Sequence, residues 1–193
     1  MTNRHTRFMV CALTVAAALL AVPAAAQRGG ASTASAQPAA AQPASIQMAL
    51  GNDVGTLSDK FVGLARVMAG KYDWRPSQGV RSVGDVFNLI VGENRMLAGL
   101  LNGSPSQGGG GMTGAKPITD PAEMQEALRS SYATLRQALT GLPDNDLNTS
   151  VRMFGRDMTK QGATLILLFD QHEHLGQSIA YARSNTVVPP WSK

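Results

Sequence analysis

The run Asp170-Gln171-His172-Glu173-His174-Leu175-Gly176-Gln177 gathers the side chains of this chain best suited to chemistry. Apart from His5, His172 and His174 are its only histidines. On a helix with 3.6 residues per turn, positions two apart point about 200° away from each other, so these two cannot hold one ion together. Asp170 and His174, at i and i+4, share a face and can. An ion held with an open coordination position activates water. The simpler account of the same pair is a hydrogen-bonded couple in which the carboxylate favours a charged imidazole. His172 then reads as a packed or interface histidine, and Glu173 as a solvated charge.

Other chemistries find less support. Cys11 is the only cysteine, and no serine stands in a nucleophile-elbow context. The four consecutive glycines Gly108 to Gly111 lack a following Gly-Lys-Ser/Thr and have no strand leading into them, so they read as a connector and not as a phosphate cradle. The net charge of +4 is spread along the chain with no basic stripe, and aromatic residues are few, which argues against nucleic-acid binding.

Residues 1–26 read as a secretory signal peptide. Arg4, His5 and Arg7 give a basic start, Phe8 to Val22 an apolar run, and Ala24-Ala25-Ala26 a cleavage site before Gln27. The apolar run is short of the ~20 residues a spanning helix needs, which favours cleavage over the alternative of a retained signal anchor; after cleavage no membrane attachment is expected. The expected destination is the periplasm or the medium. Cleavage removes Cys11 and two arginines but no acid, leaving a cysteine-free protein of charge +2. Residues 27–45, rich in Ala, Gln, Pro and Ser, cannot bury enough apolar surface to offset ordering and read as a disordered tether. Residues 46–193 form one domain with room for one core.

Four helices must position the site. The first is expected over Ile46 to Ala69, with Leu57, Phe61, Leu64, Ala65 and Met68 on one face. Pro76 closes the turn Lys71-Tyr72-Asp73-Trp74-Arg75-Pro76 that follows it. Ser82 and Asp85 have capping-box spacing at the start of a second helix, which runs to about Asn102. Asp120-Pro121 opens a third, and Gly141-Leu142-Pro143 stops it. After an irregular stretch with a short extended piece around Ser150 to Phe154, Thr159 caps the fourth, and Val187-Val188-Pro189-Pro190 ends it. No alternating pattern signals a sheet, so the fold class is all-α, an antiparallel four-helix bundle.

In the fourth helix, Ala163, Ile166, Leu167, Asp170, His174, Gln177 and Tyr181 share one side. Leu165, Leu168, Phe169, His172, Leu175 and Ile179 share the other. With both sides apolar, one faces the core and the other a neighbouring helix or a second subunit. A homodimer through this helix is the expectation, checked by sedimentation.

In this order and spacing, several pieces resemble the DinB-like (DinB/YfiT) family across nearly all of residues 46–191. They are Lys71 to Pro76, Arg81 to Phe87 with Asn94 beyond, Met158-Thr159, His174-Leu175-Gly176-Gln177, Tyr181-Ala182-Arg183 and Val188-Pro189-Pro190. The resemblance implies a four-helix bundle in which many members bind a divalent ion through three histidines, one from the second helix and two at i and i+4 on the fourth. Two of those positions are changed here. Leu89 stands at the second-helix position and Asp170 at the first of the fourth-helix pair, and only His174 matches. Leu89 cannot ligate, whereas Glu93, one turn later on the same face, can reach across.

Two functions follow from these departures. The first is a metal-free binding or interaction module for an unidentified small molecule or partner. The second is a hydrolase or thiol-transferase-type enzyme with a weakly bound divalent metal ion at Glu93, Asp170 and His174, a donor set richer in oxygen and weaker for zinc than three histidines.

Overall fold

A computed structural model describes residues 45–104, 116–143 and 145–192. The expected signal peptide, most of the expected tether and the glycine run 108–111 lie outside the described residues. Ser45, placed at the end of the tether by composition, instead caps the first helix by accepting the Met48 N–H.

The four expected helices are present: α1 (Ile46–Val67), α2 (Val83–Leu101), α3 (Pro121–Thr140) and α4 (Lys160–Ser184). Their N-termini follow the local chemistry. Ser82 and Asp85 form a reciprocal capping box, and Asp120 accepts from Ala122 and Glu123 ahead of Pro121. Thr159 accepts from Gly162 at the start of α4. Side-chain caps of this kind contribute about 1 kcal/mol each.

One core runs the length of the bundle. Phe61, Phe87 and Tyr132 meet at its centre, the Phe61 ring edge-on to Phe87 and stacked with Tyr132. Helices α3 and α4 each pack against both α1 and α2, which lie diagonally across the core. Chain direction around this ring is not uniform. Gly51 of α1 abuts Arg136 and Thr140 of α3, so those two helices run antiparallel. Lys160 at the start of α4 binds the Leu101 carbonyl at the end of α2, and Tyr181 near the end of α4 binds the Arg81 carbonyl just before α2, so that pair is antiparallel too. Asn88 holds the backbone of Ile118 just before α3, and Asn94 meets Ser131 inside it, so α2 and α3 run the same way. The ends of the 102–120 connection therefore lie at opposite ends of a bundle whose 19-residue helix α2 is roughly 28 Å long.

The sequence reading is corrected between α3 and α4. A 3-10 turn (Asp146–Asn148) leads into two short antiparallel strands, β1 (Ser150–Met153) and β2 (Arg156–Thr159), where only a single extended piece was expected. Phe154 and Gly155 join them, both with positive φ, as a two-residue hairpin turn requires. Buried Lys160 fastens this hairpin to the bundle. Its ammonium lies 2.7 Å from both the Leu101 carbonyl and the Asp146 carboxylate. That hydrogen bond, with a second from Thr149, holds Asp146 below the usual carboxylate range.

The core line of α4 passes between the two sides assigned from the sequence. Thr164, Leu167, Leu168, Gln171, Leu175, Ser178 and Ala182 are buried, and Leu165 and Ile179 pack at the core's edge. Most of the side assigned to a neighbour or partner is thus covered within the chain. Phe169 and Ile166 remain exposed.

Candidate metal centre

Helix α2 supplies Glu93, and α4 supplies Asp170 and His174. One ligand atom from each lies within 4.8 Å of the other two. His174 Nε2 is 3.5 Å from Asp170 Oδ2 across the i, i+4 turn. Leu89 is half-buried and does not separate the three. Among the described residues, this is the one cluster of His, Cys, Asp and Glu arranged to hold an ion.

The three side chains differ in solvation. Glu93 is only 5% exposed, while the Asp170 side chain is 41% and that of His174 15% exposed. The cluster is therefore closed on the core side and open beside Asp170. Burial pushes the Glu93 carboxyl up to about 8, reinforced by the neighbouring Asp170 and offset in part by Arg81 and Gln171. Two carboxyls this close cannot both carry a charge cheaply. Either a proton or a cation has to lie between them. Glu93 Oε2 is one of two buried side-chain polar atoms among the described residues with no partner, the other being Ser178 Oγ.

His174 is held from behind. Its Nδ1 lies 2.8 Å from Gln177 Oε1, the Gln177 amide donates to the Tyr181 hydroxyl at 2.8 Å, and that hydroxyl donates to the Arg81 carbonyl at 3.2 Å. Trp74 stands edge-on against Tyr181, with ring centroids 5.3 Å apart. The 71–76 turn can lie this close because Gly84 has no side chain. A Cβ there would sit 3.1 Å from Tyr72 Cβ and 3.2 Å from its carbonyl oxygen. Arg75 adds an ion pair to Asp85 at 3.6 Å. Trp74, against Tyr181, and Arg75, paired with Asp85, thus pin this turn over the bundle end.

These features suit a divalent ion. The set offers one imidazole nitrogen and carboxylate oxygens from two residues, a buried oxygen awaits a partner, and one side is open. That is the arrangement of a three-ligand site with room for water. His172 takes no part. It stands on the surface, Nε2 2.9 Å from the Asp53 carboxylate, tying α4 to α1.

Directly beside the cluster runs a polar layer that sequence reasoning missed. Tyr132 donates to Gln171 Oε1 at 3.0 Å, and Gln171 donates to Asn94 Oδ1 at 2.9 Å. Asn94 donates to Ser131 at 3.1 Å, and Ser131 donates to the Leu128 carbonyl at 3.0 Å. All four side chains are buried. Gln171 was visible only as a neighbour of Asp170. Its burial required knowing that the core line falls between the two apolar sides of α4. Gln177 and Tyr181 did carry a signal, since their spacing from Asp170 and His174 puts all four on one side of the helix.

Comparison with known proteins agrees with this fold. The sequence model of the DinB superfamily matches residues 59–178, which include all three candidate ligands. A crystal structure of a DinB-like protein from Bacillus cereus superposes with a TM-score of 0.63 at 18% identity, covering 75% of this chain and 95% of that one. Among curated proteins none matches. With bundle, helix placement and sequence match in accord, this chain belongs to the DinB superfamily.

Proposed function

We propose that this domain binds a divalent cation through Glu93, Asp170 and His174 and uses the opening beside Asp170 for water-dependent hydrolysis or group transfer. The observation that carries this reading is Glu93 Oε2, a buried carboxylate oxygen without a partner, on a residue whose carboxyl converges with a second carboxylate and an imidazole. Leaving such an oxygen unpaired costs about 1–3 kcal/mol, and more when the group is charged. Donors of this mixed kind suit manganese, iron or zinc, with less preference for zinc than a three-histidine site. A bound ion supplies Lewis acidity and lowers the pKa of a coordinated water. The protein's own part is to hold the donors: Gln177 and Tyr181 orient His174, Asp170 faces the opening, and the core keeps water from Glu93. Metal analysis and calorimetric titration with Zn2+ and Mn2+, on protein purified without a histidine tag, test the proposal. One ion per chain, lost in His174→Ala, is the expected result. Protein that carries no metal and takes up none refutes it.

One observation favours a second reading, a metal-free binding module. With its carboxyl raised to about 8, Glu93 keeps a proton at neutral pH and can share it with Asp170, which relieves the pair without an ion. The same titration decides between the two.

A further inference from the structure

The hydrogen bonds behind His174 have a fixed polarity. The Arg81 carbonyl can only accept, so the Tyr181 hydroxyl donates its single proton there. With that proton committed, the hydroxyl meets Gln177 as an acceptor, and the Gln177 group facing it must be the amide NH2. The other end of the same amide, Oε1, therefore faces His174. An oxygen acceptor 2.8 Å from Nδ1 requires that Nδ1 carry a proton. In the neutral ring the lone pair is then on Nε2, the nitrogen 3.5 Å from Asp170. Flipping the Gln177 amide would reverse this order. It would also take the tyrosine proton from the Arg81 carbonyl and gain only the 3.5 Å contact from Nε2 to Asp170, too long for a good hydrogen bond.

We propose that Gln177 is a positioning residue which, with Tyr181 and the Arg81 carbonyl, keeps a proton on His174 Nδ1 and presents Nε2 as the ligating nitrogen. The chain starts at a backbone carbonyl immediately before the Ser82 cap of α2, so the fold sets the tautomer and not the imidazole itself. A hydrogen bond to the far nitrogen of a ligating imidazole fixes its ring orientation and raises its basicity. The consequence for metal affinity rests on the cation reading above, whereas the placement of the proton does not.

Nitrogen-15 NMR of the full chain labelled at histidine tests it, with the His174 signal identified by its loss in His174→Asn. In metal-free wild type, Nδ1 is expected in the protonated range. Gln177→Leu removes the acceptor and should release that preference, lowering the affinity for Zn2+ or Mn2+ by about 10- to 100-fold. Gln177→Glu keeps an acceptor on Nδ1 and should restore both the protonated signal and most of the affinity. Tyr181→Phe frees the amide to flip and should move the signal toward a mixture. An unprotonated Nδ1 in wild type, or a Gln177→Leu protein unchanged in its nitrogen spectrum, overturns the proposal. Wild type with a protonated Nδ1 and no metal binding would support the proton placement while removing the cation reading.

Discussion

Two polar clusters lie side by side in this bundle, built from neighbouring residues of the same two helices. Glu93 and Asp170 belong to one, Asn94 and Gln171 to the other. In the second cluster each donor has an acceptor, in a line that ends on the Leu128 carbonyl. In the first, two carboxyls meet and one oxygen has no partner. A closed network fixes how helices sit against one another, because each member leaves a costly orphan if it slips. An open one leaves binding capacity. A step of one residue along each helix separates a polar layer that holds the bundle from a cluster equipped to bind something.

The contrast can be broken most forcefully at Gln171. In Gln171→Leu the Asn94 oxygen and the Tyr132 hydroxyl lose their partners in a dry core, at about 1–3 kcal/mol each. Denaturant unfolding should show a loss of about 2–5 kcal/mol; a loss below about 1 kcal/mol would mean that the layer is not closed in solution.

Next in size is a pH effect confined to the open cluster. The Glu93 carboxyl is raised from its ordinary 4.5 to about 8, so the folded state binds that proton more tightly than the unfolded chain does. Its contribution to stability is fully present below pH 4.5 and is lost as pH rises toward about 8. Metal-free protein should therefore become less stable over that window, and Glu93→Gln should flatten the slope in urea midpoints measured across it. A slope that persists in Glu93→Gln would place its origin elsewhere.

The smallest effect sharpens the comparison. Glu93→Leu replaces a buried carboxyl that has one unpartnered oxygen with an apolar side chain, and Gln171 keeps its bonds to Asn94 and Tyr132, so at neutral pH the metal-free protein should change by less than about 1 kcal/mol, in either direction. A loss as large as that of Gln171→Leu, in the same unfolding assay, would show that the two clusters form one structural network.

The candidate site was more legible in the sequence than its surroundings. Asp170 and His174 follow from helical periodicity. Glu93 was reached only by resemblance, as the residue one turn past Leu89. The polar layer escaped because Asn94, Ser131, Tyr132 and Gln171 come from three helices, and no local pattern signals such a meeting. The β1–β2 hairpin escaped because its turn, Phe154-Gly155, lacks the usual Asn-Gly signal and places a phenylalanine at positive φ. Lys160 reads in sequence as an ordinary first-turn residue, yet it is buried against the end of α2.

The sequence by itself determined where helices begin, because caps are made by side chains within three residues of the backbone groups they satisfy. It also determined that His172 and His174 diverge, since that depends on the pitch of one helix. Only the tertiary structure decided that α2 and α3 run the same way, that the core line of α4 falls on Gln171, and that Glu93 meets Asp170 and His174. Each of these is set by how four amphipathic helices bury their apolar faces together, a property of the whole chain. His174 shows the division most clearly. Its face was written in the local sequence, but its proton is placed by a carbonyl at Arg81, far away along the chain and near only once the bundle has formed.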